Sequence, residues 1–113
     1  MAKVEIVESL FEEIERRFKQ RAIIIYELIE SLEFNPHKGK TVGNVAGIVI
    51  KEIRFEGFRF YFIVEGHKLK FFSAEELVEL LIRFVRMSDK KEQQKTIGEI
   101  KQILRTIGPA ALT

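Results

Sequence analysis

The chain contains no cysteine and no tryptophan. Without cysteine, neither a disulfide framework nor a thiolate metal site can form. Its two histidines, His37 and His67, are far apart in sequence and make no recognisable metal-ligand pattern. No metal and no small-molecule cofactor is therefore expected. No apolar run approaches the roughly 18 residues that span a bilayer. The start, MAKVEIVES, lacks the apolar stretch of a signal peptide. A cytoplasmic chain with no membrane contact is the expectation.

What is present describes one globular domain over residues 1–113, with 46% hydrophobic and 32% charged residues and ten phenylalanines to fill a core. The net charge of +2 hides a division. Residues 1–35 carry five Lys/Arg and eight Asp/Glu, whereas residues 36–113 carry fourteen and nine. A basic excess in the second part fits either a polyanion-facing surface or an unevenly charged solvated one.

The pattern along the chain predicts an α+β fold. Residues 3–7 alternate as a short strand. Ser9 and Glu12 form a capping-box pattern ahead of Leu10, Phe11, Ile14 and Phe18 at helical spacing. A second helix carries Ile25, Leu28, Ile29 and Leu32 on one face and stops at Asn35-Pro36. The pair reads as a helical hairpin. Residues 35–47 form a Gly-rich loop whose spacing fits no phosphate-binding motif. Strand-like runs follow at 48–55, 58–64 and 67–72, joined by Glu56-Gly57 and Glu65-Gly66 as two-residue hairpin turns. Residues 74–80 read as a short helix capped by Ser73. Residues 81–87 fit a last strand or an extension of that helix, and strand is preferred. Residues 89–107 form a final helix with Ile97, Ile100, Leu104 and Ile107 on one face, ended by Gly108-Pro109.

Two-residue turns fix register. A turn at Glu56-Gly57 sets Phe55 against Phe58, Arg54 against Arg59, Ile53 against Phe60, Glu52 against Tyr61 and Lys51 against Phe62. One at Glu65-Gly66 sets Tyr61 against Lys70. Alternation then puts Ile53, Phe55, Phe58, Phe60, Phe62, Val64, Leu69 and Phe71 on a face packed against the helices. The other face carries Glu52, Arg54, Arg59, Tyr61, Lys68, Lys70 and Phe72. Arginines directly across a sheet repel unless an acid, here Glu52 or Glu56, or a bound anion intervenes. Tyr61 adds a ring on which a base could stack. The plain alternative is the wet side of a one-sided sheet.

Asn35-Pro36, Gly39-Lys40, Gly43, Gly47, E-I-R at 52–54, G-F-R-F-Y at 57–61 and the segment R-F-V-R-M-S-D-K-K-E-Q-Q-K-T at 83–96 together resemble the RelE/ParE toxin superfamily, in its HigB-like branch. The resemblance covers nearly the whole chain and rests on the order and spacing of common motifs. It implies a RelE-like fold and the toxin component of a type II toxin–antitoxin pair, with a cognate antitoxin protein as partner. It further implies a metal-independent endoribonuclease acting on mRNA, free or on the ribosome, by attack of a ribose 2′-hydroxyl on the adjacent phosphate. On that resemblance Arg54, Arg59, Lys90 and Lys91 are the catalytic candidates. Lys51, Tyr61, Lys68, Lys70 and His37 are the RNA-binding ones. Some relatives place a tyrosine or histidine after the basic segment as acid or base, whereas K-E-Q-Q-K-T has neither. Residues 73–80 read as an insertion. The alternatives are a ParE-like toxin that is not a nuclease, and a repurposed RelE-fold interaction protein without catalysis.

Overall fold

The fold is taken from a computed structural model of the chain, in which residues 2–70 and 76–113 are described, without the side chains of 66–70 and 76–79. The elements are β1 (Ala2–Ile6), α1 (Glu8–Phe18), α2 (Ala22–Glu30), β2 (Lys40–Val45), β3 (Ile48–Phe55), β4 (Phe58–Lys70), β5 (Glu76–Asp89) and α3 (Gln93–Thr106). The protein is α+β, as expected. The strands form one five-stranded sheet in the order β1-β5-β4-β3-β2. β1 runs parallel to β5 and every other pair is antiparallel, so the sheet is mixed. No helix among the described residues is long and apolar enough to cross a membrane.

The first hairpin has the predicted register, with Phe55 opposite Phe58 and Arg54 opposite Arg59. Glu56 and Gly57 both adopt positive φ, 47° and 82°. That pair of values belongs to the tight hairpin turn whose twist matches that of the strands. Gly57 meets the requirement without steric cost, while Glu56 sits where a side chain is disfavoured. Ala46 and Gly47 repeat the arrangement, with φ of 52° and 83°, and join β2 to β3. The stretch expected to be an irregular loop, 35–47, therefore contains a strand.

The second expected turn does not form. β4 runs straight through Glu65-Gly66 to Lys70 and pairs with β5 as far as Glu76. Residues 76–80, expected to be helical, are strand. The reason is partner quality. A turn at 65–66 would set lysines against Tyr61 and Ile63, whereas β5 offers Phe84 to Phe62 and Ile82 to Val64. The expected cap at Ser73 and the side chains of Phe71 and Phe72 lie outside the described residues.

The expected capping box at Ser9 is also not used. Val7 donates its N–H to the Phe84 carbonyl, ending the β1 ladder, and its own carbonyl accepts from Leu10 and Phe11. The helix thus begins at Glu8, and Ser9 lies inside it, donating to the Thr113 carbonyl at 3.1 Å.

Two cores flank the sheet. On one face α1 and α2 bury Leu10, Ile14, Phe18, Ile25 and Ile29 against Ile53, Phe60, Phe62, Ile82 and Phe84. Phe18 meets the rings of Phe55, Phe58 and Phe60 at 5.3–6.1 Å between centroids. This is the predicted packing face. The opposite face, expected to be open either to a polyanion or to solvent, is covered by α3, which sets Ile97, Ile100 and Leu104 on Ile50, Tyr61, Ile63 and Val85. The apolar stripe of α3 needs a surface to bury, and the helical hairpin already occupies the other side. Ile107, expected on that stripe, lies beyond the helix end and is exposed.

Candidate functional site

The polar residues of the α3-covered face gather at the sheet end nearest the Glu56-Gly57 turn. Partners across a ladder share a face. One row is therefore Arg54, Arg59 and Ser88, and the next is Lys40, Glu52, Tyr61 and Arg86. The turn carrying Lys90 and Lys91 follows directly after Asp89, whose strand partner is Phe58. Both lysines are exposed. Arg54, Arg59, Lys90 and Lys91 thus belong to one end of the molecule.

The two arginines differ in environment. Arg54 is half exposed and donates to Glu52 Oε1 at 3.4 Å. Arg59 is only 5% exposed. Its Nη1 donates to the Gly57 carbonyl at 2.8 Å, and its Nε is buried with no partner. No carboxylate among the described residues lies within ion-pair reach of Arg59. A desolvated guanidinium with an unfilled N–H is costly, and such groups are rare in folded proteins.

Glu52 is the residue whose part the sequence left open between two candidates. It is 2% exposed and accepts from Arg54 and from the Gln93 amide, at 3.2 and 3.4 Å, at the start of α3. It therefore softens the arginine pair and ties α3 to the sheet. Glu56, the other candidate, instead pairs with Arg21 in the turn between the first two helices. Gln93 carried no signal in the sequence, because its contact with Glu52 arises only when α3 folds over the sheet, and Ser88 carried none because its contact with Tyr61 arises only when β5 pairs with β4.

Tyr61 shares the face but is wholly buried, so its ring offers no surface on which a base could stack. Its hydroxyl shares a 2.8 Å hydrogen bond with Ser88 Oγ. Burial raises its pKa above the ordinary tyrosine value; the Ser88 bond opposes that rise, the Glu52 charge adds to it, and the two arginines oppose it. The phenol is therefore a poor source of base at neutral pH.

The remaining candidates lie elsewhere. Lys51 points to the α1–α2 side of β3 and donates to the His37 carbonyl at 3.0 Å, so those two meet each other but not the arginines. Lys68 and Lys70 lie on β4 with backbone partners Val78 and Glu76. At about 3.3 Å per residue, Lys68 is roughly 30 Å along the strand from Arg59. Gly39, in the Asn-Pro loop, serves packing: a Cβ there would come within 3.0 Å of the Glu52 carbonyl and of the Phe62 ring, at a φ of 104°. Among the described residues, no cluster of three or more His, Asp or Glu is placed to hold a metal ion.

No protein-family model, no characterised protein and no solved structure matches this chain.

Proposed function

We propose that this chain is the toxin component of a type II toxin–antitoxin pair of the RelE/ParE kind, cytoplasmic, and directed at mRNA. The single observation that carries the reading is Arg59. It is a buried guanidinium with an unfilled Nε and, among the described residues, no carboxylate partner, set opposite Arg54 at the sheet end that leads into the Lys90-Lys91 turn. Removing positive charge from water without a counter-ion is unfavourable, and a bound phosphate is the group that would repay it. The order of elements, one strand, two helices, antiparallel strands and a basic final segment, supports the same reading. The cognate partner is an antitoxin protein.

As an endoribonuclease, the site would use Arg54 and Arg59 to stabilise charge developing on the scissile phosphate. Lys90 and Lys91 would hold the flanking backbone. Induction of the wild type should arrest growth with cleaved mRNA. The triple variant Arg54→Ala, Lys90→Ala, Lys91→Ala should leave RNA intact and growth unaffected. If the variant arrests growth and cleaves RNA as the wild type does, this site is not the one used.

A second reading, a RelE-fold toxin that binds without cleaving, is favoured by one observation. Tyr61 is sealed against Ser88, and His37 sits on the opposite side of β3, so neither stands beside the arginines as an acid or base. Growth arrest with intact RNA selects this reading.

A further inference from the structure

β1 is five residues long and β5 fourteen, so β1 covers only Leu80–Phe84 of its neighbour. The Val7 N–H to Phe84 carbonyl bond is the last on that edge. From there the chain turns into α1 on one face of the sheet, while α3 lies on the other. Among the described residues, 86–89 of β5 thus pair with β4 alone. Phe84 presents its carbonyl outward, so its partner Phe62 is a non-hydrogen-bonded position of the β4–β5 ladder. Alternation along β4 makes Phe60 another, and Phe60 pairs with Met87. The N–H and C=O of Met87 therefore face the uncovered edge. The bulge between Tyr61 and Phe62 adds one residue on β5, and the Val85 carbonyl is already taken by the Arg86 guanidinium at 2.6 Å.

This edge is the floor of a cleft of about 240 Å³ between α1 and α3 that reaches Met87, Ser88 and Asp89. Its walls carry four carboxylates, Glu13, Asp89, Glu92 and Glu99, against two cations, Arg17 and Lys95. Arg17 is already held by Glu13 at 3.3 Å and lies over the Phe58 ring. The cleft is thus locally acidic on a chain of net charge +2. Thr96 lines it as well, nine-tenths buried, with a hydroxyl that bonds no other described group.

We infer that this cleft is a docking site for an extended segment of another protein that carries basic side chains, added as a strand to the free edge of β5. An unpaired strand edge supplies main-chain donors and acceptors to such a segment, and alternate side chains of the segment read the walls. Glu92 and Glu99 receive its lysine or arginine, and Thr96 supplies a hydroxyl that the fold leaves unused. Helices rise on both sides of the edge, which disfavours pairing with a second copy of this chain. The site adjoins the arginine pair at Ser88 and does not depend on the RNA reading.

The test titrates the full chain with three capped heptapeptides and follows backbone amide chemical shifts. One alternates valine and lysine, one alternates valine and glutamate, and one is the lysine peptide N-methylated on alternate backbone nitrogens. The lysine peptide should shift the amides of Met87, Asp89 and Thr96 and bind about tenfold or more tightly than the glutamate peptide. N-methylation should abolish binding, because it removes the donors of the added strand. The Glu92→Lys, Glu99→Lys double variant, altered only at exposed positions, should lose about tenfold. Absence of shifts at Met87 and Asp89, equal binding of the N-methylated peptide, or self-association of the free chain through this edge would overturn the inference.

Discussion

Arg54 and Arg59 are direct cross-strand partners, yet their guanidinium groups are bonded in opposite directions along the hairpin. Each reaches two residues back in sequence, which takes Arg54 away from the turn to Glu52 and Arg59 into it, to the Gly57 carbonyl. The repulsion of like charges directly opposite each other is relieved by divergence and by one buried acid. Only Arg54 gains an ionic partner from that arrangement. Replacing Arg59 by methionine, which keeps the volume, should therefore hold stability or raise it by about 1 kcal/mol, since no acid loses its counter-ion. The same change should weaken RNA binding. Chemical denaturation checks the first effect; a loss of several kcal/mol would mean that Arg59 serves the fold.

The hairpin turn itself is suboptimal. Glu56 has a φ of 47°, in a turn that favours Asn-Gly. Its pairing with Arg21 is between exposed groups and contributes little. Glu56→Asn should stabilise the protein by about 0.5–1 kcal/mol, which is roughly 2–5 °C in melting temperature for a chain of this size. A thermal melt of the two proteins decides it. A lower melting temperature for the variant would show that the Arg21 pair outweighs the backbone cost.

Gly98 lies inside α3 on its exposed side, and a Cβ built there would meet nothing within 4 Å. Glycine in a helix interior costs about 0.5–1 kcal/mol relative to alanine. Gly98→Ala should recover that amount in a denaturant titration with an unchanged slope. A destabilised variant would mean that α3 requires local flexibility.

Alkaline pH should weaken the fold. Burial, reinforced by the nearby Glu15 carboxylate, pushes the Tyr26 phenol up to about 12. Tyr61 is raised as well, mainly by burial. A folded value above the unfolded one of about 10 means that the unfolded chain loses these protons first. The stability these groups contribute is therefore complete below about pH 10 and is lost as pH rises towards the folded values. Melting temperature should be flat to about pH 9.5 and fall above pH 10. Tyr26→Phe should blunt the fall. A wild-type melting temperature unchanged up to about pH 12 would contradict this.

Much of this architecture was legible in the residues. Alternation from Glu56-Gly57 identified the apolar face, from Ile53 to Phe62, and the Arg54–Arg59 pairing, because a two-residue turn leaves no freedom of register. Glu65-Gly66 offered the same local signal and failed, since β5 supplied better partners than a return of β4 on itself. That competition is tertiary and leaves no mark within a short window. The burial of Tyr61 was missed for the same reason. Ile97, Ile100 and Leu104 of α3 were read correctly as a stripe, Ile107 wrongly as part of it, and the stripe was not read as the cover for that face. Once α3 is placed there, Glu52 follows as the buried acid that Gln93, at the start of that helix, reaches across to bond.

We propose that the Arg54–Arg59 end of the sheet binds the RNA backbone. The most direct test is a titration of wild type and the Arg54→Ala, Lys90→Ala, Lys91→Ala variant with a fluorescent single-stranded RNA across a salt series. Each phosphate contact on a single strand contributes about −0.7 to the slope of log K against log salt concentration. The wild type should bind tightly and in a salt-sensitive way, and the variant should show a slope shallower by about 2 and an affinity that falls for every RNA sequence alike. Equal affinities and equal slopes for the two proteins would contradict it.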